Sequence, residues 1–238
     1  MLQLERHERT AVLTLDRPAR GNALSVELVD ALLAQVLALT SDPDVDALVF
    51  QASGAHFCTG FDLSDLATSS EADLLQRFVR VEQLLQAVWH APIRTIALAQ
   101  GRTWGAGADL FAACEVRLAT PQASFRFPGA RFGIVLGTRR LAERVGGDTA
   151  RRWLLDSAHV DAASAQAAAL ATGLVEADSL TEAWRAHGPG PIDRVTAAAL
   201  RRLTRVDTAE RDMSELVASA ARPGLKTRMT DYLAALRA

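Results

Sequence analysis

Apolar residues recur along this chain with two different spacings, one typical of buried strands and one typical of amphipathic helices. The run from Thr10 to Asp16 is apolar enough to be buried on both faces of a sheet, and a second such strand is predicted at 47–51. Between them, apolar positions follow a capping Ser25 at intervals of three or four residues: Leu28, Leu32, Val36 and Leu39. Alternating strands, loops and helices predict an α/β fold.

The same alternation continues toward the middle of the chain. A long loop at 53–70 precedes a predicted amphipathic helix at about 71–90, and a strand at 93–100 precedes a helix that begins in the small-residue stretch 105–108. Beyond residue 139 the pattern is mostly helical. We therefore expect the sheet to have ended by that point.

A linker divides the chain near its last fifth. Two prolines and two glycines between His187 and Pro191 forbid a continuous helix there. This pattern predicts a core over 1–187 and a helical C-terminal region over 188–238. The last helix of that region carries one apolar face that must be covered, formed by Leu225, Met229, Tyr232, Leu233 and Leu236.

Composition narrows the class of ligand. The chain has 238 residues, is 49% apolar and carries a formal net charge of -2 with its basic residues scattered, which argues against nucleic acid or a membrane surface as partner. Cys58 and Cys114 lie in unrelated segments, so neither a disulfide framework nor a metal site is indicated. Without a signal-like N-terminus or a spanning apolar run, we expect a cytoplasmic protein that binds a small ligand.

Two glycine-containing loops carry the candidate chemistry. The first, at 56–63, follows a predicted strand and contains Gly60. The second, at 101–115, leads into a helix, where unpaired backbone N–H groups and the helix dipole can stabilise an oxygen that gains negative charge. Taken singly, the first is better explained as a tight turn at Gly60, and the second is equally consistent with close packing of a helix on a strand.

Taken together, these loops and the upstream segment 17–25 resemble the three ordered motifs of the enoyl-CoA hydratase/isomerase (crotonase) superfamily. The segment 123–137 is similar to the strand and loop that close the acyl pocket in that family. The resemblance covers residues 1 to about 177 well and the tail only in kind. It implies a crotonase-type spiral of ββα units with a C-terminal helical region that associates in homotrimers or dimers of trimers, thereby covering the apolar face of the tail.

The resemblance also implies the parts of an active site. The backbone N–H groups of Phe61 and Ala106 would form an oxyanion hole for the thioester carbonyl of an acyl-CoA substrate, and no cofactor is implied beyond the CoA moiety itself. Hydration, isomerisation, dehalogenation and decarboxylation all use such a device, so it identifies the superfamily and not the reaction. The implied CoA-binding positions are Arg20, Ala23, Asp62 and Leu63.

The acids of the family pattern are mostly missing. Asp109 stands where hydratases carry their first glutamate, Gly129 aligns with the second, and Gly137 with the acid of some isomerases and dehalogenases. A single carboxylate suffices to move a proton between two carbons, whereas hydration is expected to need a pair. A pocket lined by Trp104, Phe111 and Phe132 would raise the pKa of Asp109.

Several activities therefore stay open. The first is isomerisation or hydration of an enoyl-CoA with Asp109 as the proton-transfer residue. The second is a protein that binds CoA thioesters and has lost turnover. A decarboxylase of the same superfamily would use Arg126 and Arg131 to hold a substrate carboxylate. A serine protease on a related fold is disfavoured because no Ser/His/Asp set accompanies the loops.

Overall fold

The computed structural model describes residues 1–236. Its strands are β1 (Leu2–His7), β2 (Thr10–Leu15), β3 (Ala47–Ala52), β4 (Arg94–Ala99), β5 (Arg102–Trp104), β6 (Val116–Ala119), β7 (Ser124–Arg126), β8 (Val160–Asp161) and β9 (Gly173–Leu174). Its α-helices are α1 (Val26–Ser41), α2 (Glu71–Trp89), α3 (Ala106–Ala113), α4 (Thr138–Val145), α5 (Gly147–Leu155), α6 (Ala162–Ala167), α7 (Arg194–Leu203), α8 (Ala209–Ala220) and α9 (Leu225–Ala235). Turns of 3₁₀ helix cover Pro18–Arg20, Pro128–Phe132 and Ala177–His187.

The main sheet has six strands in the order β1-β2-β3-β4-β6-β9. Only β1 runs antiparallel to its neighbour, and every later pair is parallel, with Val12 opposite Val49 and Val49 opposite Ile96. A smaller sheet of three short strands, β5-β7-β8, stands apart from it. Each parallel connection passes through a loop and, in most cases, a helix, which gives the predicted α/β architecture.

Helices and the segment 177–187 cover the two faces of the main sheet. Leu13, Leu48 and Phe50 are packed in one cluster with buried residues of α1, α2 and α3. On the opposite face, strand residues such as Val49 pack with Leu180 of the segment 177–187. Burial on both faces explains why the strands are near-continuous apolar runs.

The helix boundaries follow local capping signals. The Ser25 side chain accepts a hydrogen bond of 3.3 Å from the Leu28 amide at the start of α1. Ser70 and Asp73 form a reciprocal capping box at the start of α2. Capping satisfies amides that have no partner inside the helix, and the predicted cap at Ser25 is confirmed.

The expectation that the sheet ends before residue 139 is wrong. Strands β8 and β9 lie beyond that point and pair with β7 and β6, respectively. Each is only two residues long, and Gly173 provides no side chain for a hydrophobic pattern. Strands this short leave no detectable period in a sequence.

The C-terminal region folds back on the rest of the chain. Helix α8 packs on α2, and α9 packs on the turn 128–132. Leu225 and Met229 are each 1% exposed, in a cluster with Leu74, Phe78 and Ile134. This part of the apolar face of α9 is therefore covered within the chain, contrary to the expectation that a neighbouring subunit covers it. Self-association itself stays a prediction.

No helix within residues 1–236 combines the length and apolarity needed to cross a membrane.

Candidate active site

The two loops predicted to carry the site meet through backbone hydrogen bonds. Leu24 donates to the Gly60 carbonyl oxygen at 2.8 Å, and Asp62 donates to the Leu24 oxygen at 3.1 Å. On its other side the same loop is joined to β5, because the Trp104 amide donates to the Cys58 oxygen at 2.9 Å. The segment 58–62 is thus held between the upstream loop 21–24 and the strand that leads to α3.

The amides of Phe61 and Ala106 have no hydrogen-bond acceptor among residues 1–236. In an extended segment, successive residues direct their backbone polar groups to opposite sides. The Gly60 oxygen and the Asp62 N–H bond Leu24, so the Phe61 N–H points away from Leu24. Ala106 is the first residue of α3, where an amide has no partner inside the helix. The structure therefore leaves unpaired the two donors expected from the sequence.

Close contact between the loops requires glycine. A Cβ atom placed on Gly60, whose φ is +99°, would lie 2.9 Å from the Trp104 oxygen and 3.4 Å from the Ala106 nitrogen. One placed on Gly107 would lie 2.4 Å from the Cys58 oxygen. These distances show that the backbone of the first loop touches that of the second. Phe61 and Ala106 consequently line the same cavity.

The Phe61 side chain is fixed from both sides. Its ring stacks on that of Phe78 with a centroid distance of 4.3 Å, and the Arg77 guanidinium lies 4.2 Å above the ring centroid. Arg77 also donates to the Asp62 carbonyl oxygen at 2.5 Å and to Asp65 at 2.8 Å. This arrangement anchors the peptide that carries one of the two donors.

The upstream loop is anchored by two residues that sequence reasoning did not single out. Asn22 is fully buried, donates to the carbonyl oxygens of Ser53 and His56 at 2.9 and 2.8 Å, and accepts from the Arg17 amide at 2.7 Å. The Arg17 guanidinium bonds the Asp62 carboxylate at 3.0 Å. A polar residue in a loop is expected to be solvated unless its partners are known. The sequence therefore offered only one signal here, the turn-forming Asn within Gly-Asn-Ala.

A cavity of about 210 Å³ opens at the two amides. Its walls are mainly apolar, and within residues 1–236 the polar side chains among them belong to Thr59, Asp109, Arg126 and Tyr232. Trp104 and Phe132 line it as expected, whereas Phe111 does not. Phe111 lies two residues after Asp109 on α3, on the opposite side of the helix, and packs in the core against Phe57 and Phe125.

Asp109 is buried at the cavity wall, 5% exposed. Burial raises its pKa well above the ordinary value of an aspartate, while Arg140 acts to lower the pKa and Glu82 to raise it. No hydrogen-bond donor within residues 1–236 is paired with its carboxyl oxygens. A raised pKa of this kind is typical of carboxyl groups that transfer protons in active sites.

Glycine at two other positions explains why Asp109 is the acid at this wall. A Cβ on Gly137, where φ is +66°, would lie 2.0 Å from the Asp109 Oδ1, so a side chain there would displace the Asp109 carboxyl. A Cβ on Gly129 would lie 3.2 Å from the Ile134 oxygen, a tight contact. The start of α4, whose N-cap residue is Gly137, therefore lies directly against the Asp109 carboxyl.

The positions expected to bind CoA have different surroundings. Arg20 is exposed, and Leu63 lines the cavity. Ala23 is buried, with its carbonyl oxygen bonded by Arg17. The Asp62 carboxylate accepts from Arg17 and from the Ser64 amide, so it joins loops instead of facing a ligand. Their contacts with CoA stay a prediction.

The two arginines considered for a substrate carboxylate are separated. Arg126 lines the cavity, with its Nε donating to the Ser157 carbonyl and hydroxyl oxygens at 3.2 and 3.1 Å. Arg131 is exposed and does not line the cavity.

Helix α9 closes part of the cavity. Tyr232, Leu233 and Leu236 line it, and the Tyr232 ring lies 5.2 Å from that of Phe132. The sequence marked these three positions as an apolar face without indicating what they would cover. These three residues lie far along the chain from the other lining residues, so the sequence did not indicate this contact.

Comparison with known proteins agrees with this geometry. The family model for enoyl-CoA hydratase/isomerase matches residues 5–221. The chain is 34% identical over 203 residues to the Mycobacterium tuberculosis protein named Probable enoyl-CoA hydratase EchA14, covering 84% of this chain and 78% of that one. The chain therefore belongs to the enoyl-CoA hydratase/isomerase family, the crotonase superfamily.

Solved structures support the same assignment. A crystal structure of an enoyl-CoA hydratase/isomerase family protein from Bordetella parapertussis superimposes with a TM-score of 0.93 at 44% identity, covering 98% of both chains. An enoyl-CoA hydratase from Bacillus halodurans superimposes with a TM-score of 0.83 at 23% identity, covering 97% of this chain and 99% of that one, which shows the fold alone. The crotonase-type fold predicted from sequence is confirmed.

Substitution of Gly107 tests the contact between the loops. We expect Gly107→Ala to lower the free energy of unfolding by about 1–3 kcal/mol, because its methyl group overlaps the Cys58 carbonyl. Urea denaturation followed by circular dichroism measures the change. Gly147→Ala is the matched control, since a Cβ there meets no atom within 4 Å. Equal stability of the two variants would contradict the close contact.

Proposed function

We propose that this protein moves a double bond in an enoyl-CoA thioester, with Asp109 as the proton carrier and the Phe61 and Ala106 amides as the oxyanion hole. The observation that carries the proposal is one buried carboxyl group in the same apolar cavity as two unpaired backbone donors. Membership of the enoyl-CoA hydratase/isomerase family supports an acyl-CoA substrate.

The reaction needs no atom beyond those of the substrate, because Asp109 returns the proton that it removes. The Asp109 carboxylate removes a proton from the carbon next to the thioester carbonyl of a 3-enoyl-CoA, and the electron pair moves onto the thioester oxygen. The two amides stabilise that negative charge. The protonated Asp109 then delivers the proton to the fourth carbon, and the double bond ends between the second and third carbons.

Hydration is the weaker candidate on the same geometry. It requires one group to activate a water molecule and a second to protonate carbon, for which paired carboxylates are expected. Gly129 supplies no side chain at the position of the second acid, and Gly137 has no space for one. Isomerisation requires only the acid that is present.

The CoA part of the substrate is proposed to pass the loop at 20–24 and Leu63. Arg20 is exposed at the end of the 3₁₀ turn and is the proposed partner of a CoA phosphate. Asp62 contributes indirectly, because its carboxylate fixes Arg17. The acyl chain then enters the cavity walled by Phe132, Ile134 and Leu233.

Removing a single donor tests the oxyanion hole. We expect Ala106→Pro to lower kcat by about 10²–10³-fold, because proline lacks the N–H yet suits the first position of a helix. Steady-state kinetics with a 3-enoyl-CoA measures the loss. Glu71→Pro, at the exposed first position of α2, is the matched control and should retain wild-type kcat. Similar activity of both proline variants would contradict the role of the Ala106 amide.

Asp109→Asn tests the proton carrier. The variant should bind CoA esters and lose at least about 10²-fold in isomerisation rate, since an amide cannot carry the proton. A panel of 2-enoyl-, 3-enoyl-, dienoyl- and malonyl-type CoA esters, followed by mass and ultraviolet absorbance, identifies the reaction. Undiminished turnover in Asp109→Asn would exclude Asp109 as proton carrier.

The same panel separates the other activities. Water addition to a 2-enoyl-CoA without double-bond migration would favour hydration, and carbon dioxide release from a malonyl-type ester would favour a decarboxylase. Tight binding of CoA esters by the wild type with no turnover of any would favour a binding protein that has lost catalysis.

We further propose that the protein self-associates through the segment 192–206. Val195 and Leu203 of α7 are 80% and 79% exposed, and they lie eight residues apart on one side of the helix. Ile192, Leu200 and Val206 add exposed apolar surface nearby. Covering this surface with a second copy of the chain would remove it from water, as expected for a trimer or a dimer of trimers.

A charge on this surface tests the assembly. We expect Leu203→Glu to reduce the mass measured by light scattering after gel filtration, because the carboxylate would be desolvated in the interface. Leu155→Glu is the control, since Leu155 is also exposed, at 68%, but belongs to α5. A wild-type monomer, or a loss of assembly only in Leu155→Glu, would contradict the proposed interface.

A further inference from the structure

A buried ion pair lies in the protein interior between α2 and α4. The Arg140 guanidinium donates from both terminal nitrogens to the two carboxylate oxygens of Glu82. Glu82 is 1% exposed and Arg140 is 3% exposed. Gln86 donates to the Glu82 Oε1 at 3.0 Å and also to the Ala209 carbonyl oxygen. The pair thus connects α2 with α4 and, through Gln86, with the start of α8.

Packing places this pair beside the proposed proton carrier. Helix α3, which carries Asp109, packs against both α2 and α4. The Asp109 carboxyl touches the backbone of Gly137, which is the N-cap residue of α4, and Arg140 lies in the first turn of that helix. The Arg140 Nε is buried and has no hydrogen-bond acceptor within residues 1–236. Burial of an unpaired N–H costs stability, which calls for a compensating role.

The other charges near the pair nearly balance. Asp212 of α8 lies 3.9 Å from Arg140 and accepts a hydrogen bond of 2.8 Å from Arg139. Glu82 therefore offsets Arg140, and Asp212 offsets Arg139. An ionised Asp109 adds one negative charge to this group and a protonated Asp109 adds none.

Among residues 1–236, Arg126 is the remaining charged residue at the cavity, and it comes from β7. Its Nε is held by Ser157 on the side of the cavity formed by the smaller sheet. The charges that act on Asp109 from the interior side are those of Arg140 and Glu82, which have opposite effects.

We infer that Glu82 and Arg140 are positioning residues that keep Asp109 able to cycle between its two protonation states. This inference rests on the proposed function, in which Asp109 carries a proton. Arg140 attracts the carboxylate and offsets part of the cost of burying it. Glu82 occupies both terminal nitrogens of Arg140 and thereby prevents a direct ion pair with Asp109, which would hold the carboxylate permanently ionised.

Infrared spectroscopy tests the inference without requiring turnover. The carbonyl stretch of a protonated carboxyl group, assigned by its loss in Asp109→Asn, is followed against pH. In Glu82→Gln we expect the midpoint to fall by about one pH unit, because Arg140 is no longer neutralised. In the double variant Glu82→Gln/Arg140→Met we expect the midpoint to rise above that of the wild type, because the attracting charge is gone.

The double variant also protects the test against misfolding. Replacing both partners of a buried pair with neutral residues of similar size is tolerated better than removing one. Glu115→Gln is the control, since Glu115 pairs with Arg201 at the other end of α3, and its midpoint should equal that of the wild type. Unchanged midpoints, or shifts in one direction for both Glu82 variants, would overturn the inference.

Kinetics separate this inference from the proposed function. If both hold, the pH profile of kcat for a 3-enoyl-CoA moves in the same two directions as the infrared midpoint. Opposite infrared shifts, together with turnover that survives Asp109→Asn, would support the role of the pair and contradict the proposed function. Turnover that depends on Asp109 without infrared shifts would support the proposed function and overturn the role of the pair.

Discussion

The contact between the backbone at 58–62 and the first turn of α3 is the constraint on which the site depends. Gly60 and Gly107 permit it, because a side chain at either position would overlap a carbonyl oxygen. The amides of Phe61 and Ala106 are left without partners at the cavity wall, an arrangement that costs free energy unless water or a ligand bonds them. The stacking of Phe61 and the bonds of Asn22 and Arg17 stabilise this otherwise unfavourable arrangement.

The C-terminal end of α3 is bonded by two arginines. Arg144 donates to the carbonyl oxygens of Ala112 and Cys114, and Arg117 donates to the Cys114 oxygen as well. Burial lowers the pKa of Arg117 to about 9 and that of Arg144 to about 10, which leaves both cationic at neutral pH. Two cations at the C-terminal end complement the helix dipole, whose positive end lies at the Ala106 amide. The short helix is thus held at both ends by interactions suited to binding negative charge at its start.

Sequence reasoning succeeded where the signal was local. The cap at Ser25 and the loop glycine at Gly60 could be read from neighbouring residues, and so could the helix start at Ala106. It failed where the determining contact was distant in sequence. Nothing near Glu82 indicates that a residue 58 positions later would neutralise it in the interior. Nor did the apolar face of α9 indicate that Tyr232 would cover the cavity.

The aspartate at position 109 and the start of α4 are best understood together. Asp109 carries one methylene fewer than the glutamate expected there by resemblance, so its carboxyl reaches less far from α3. The start of α4 lies close enough that Gly137 contacts that carboxyl. The wall thus carries one enclosed acid, and the glycines at 129 and 137 supply no second one. A single acid suits the proposed transfer of one proton between two carbons of the substrate.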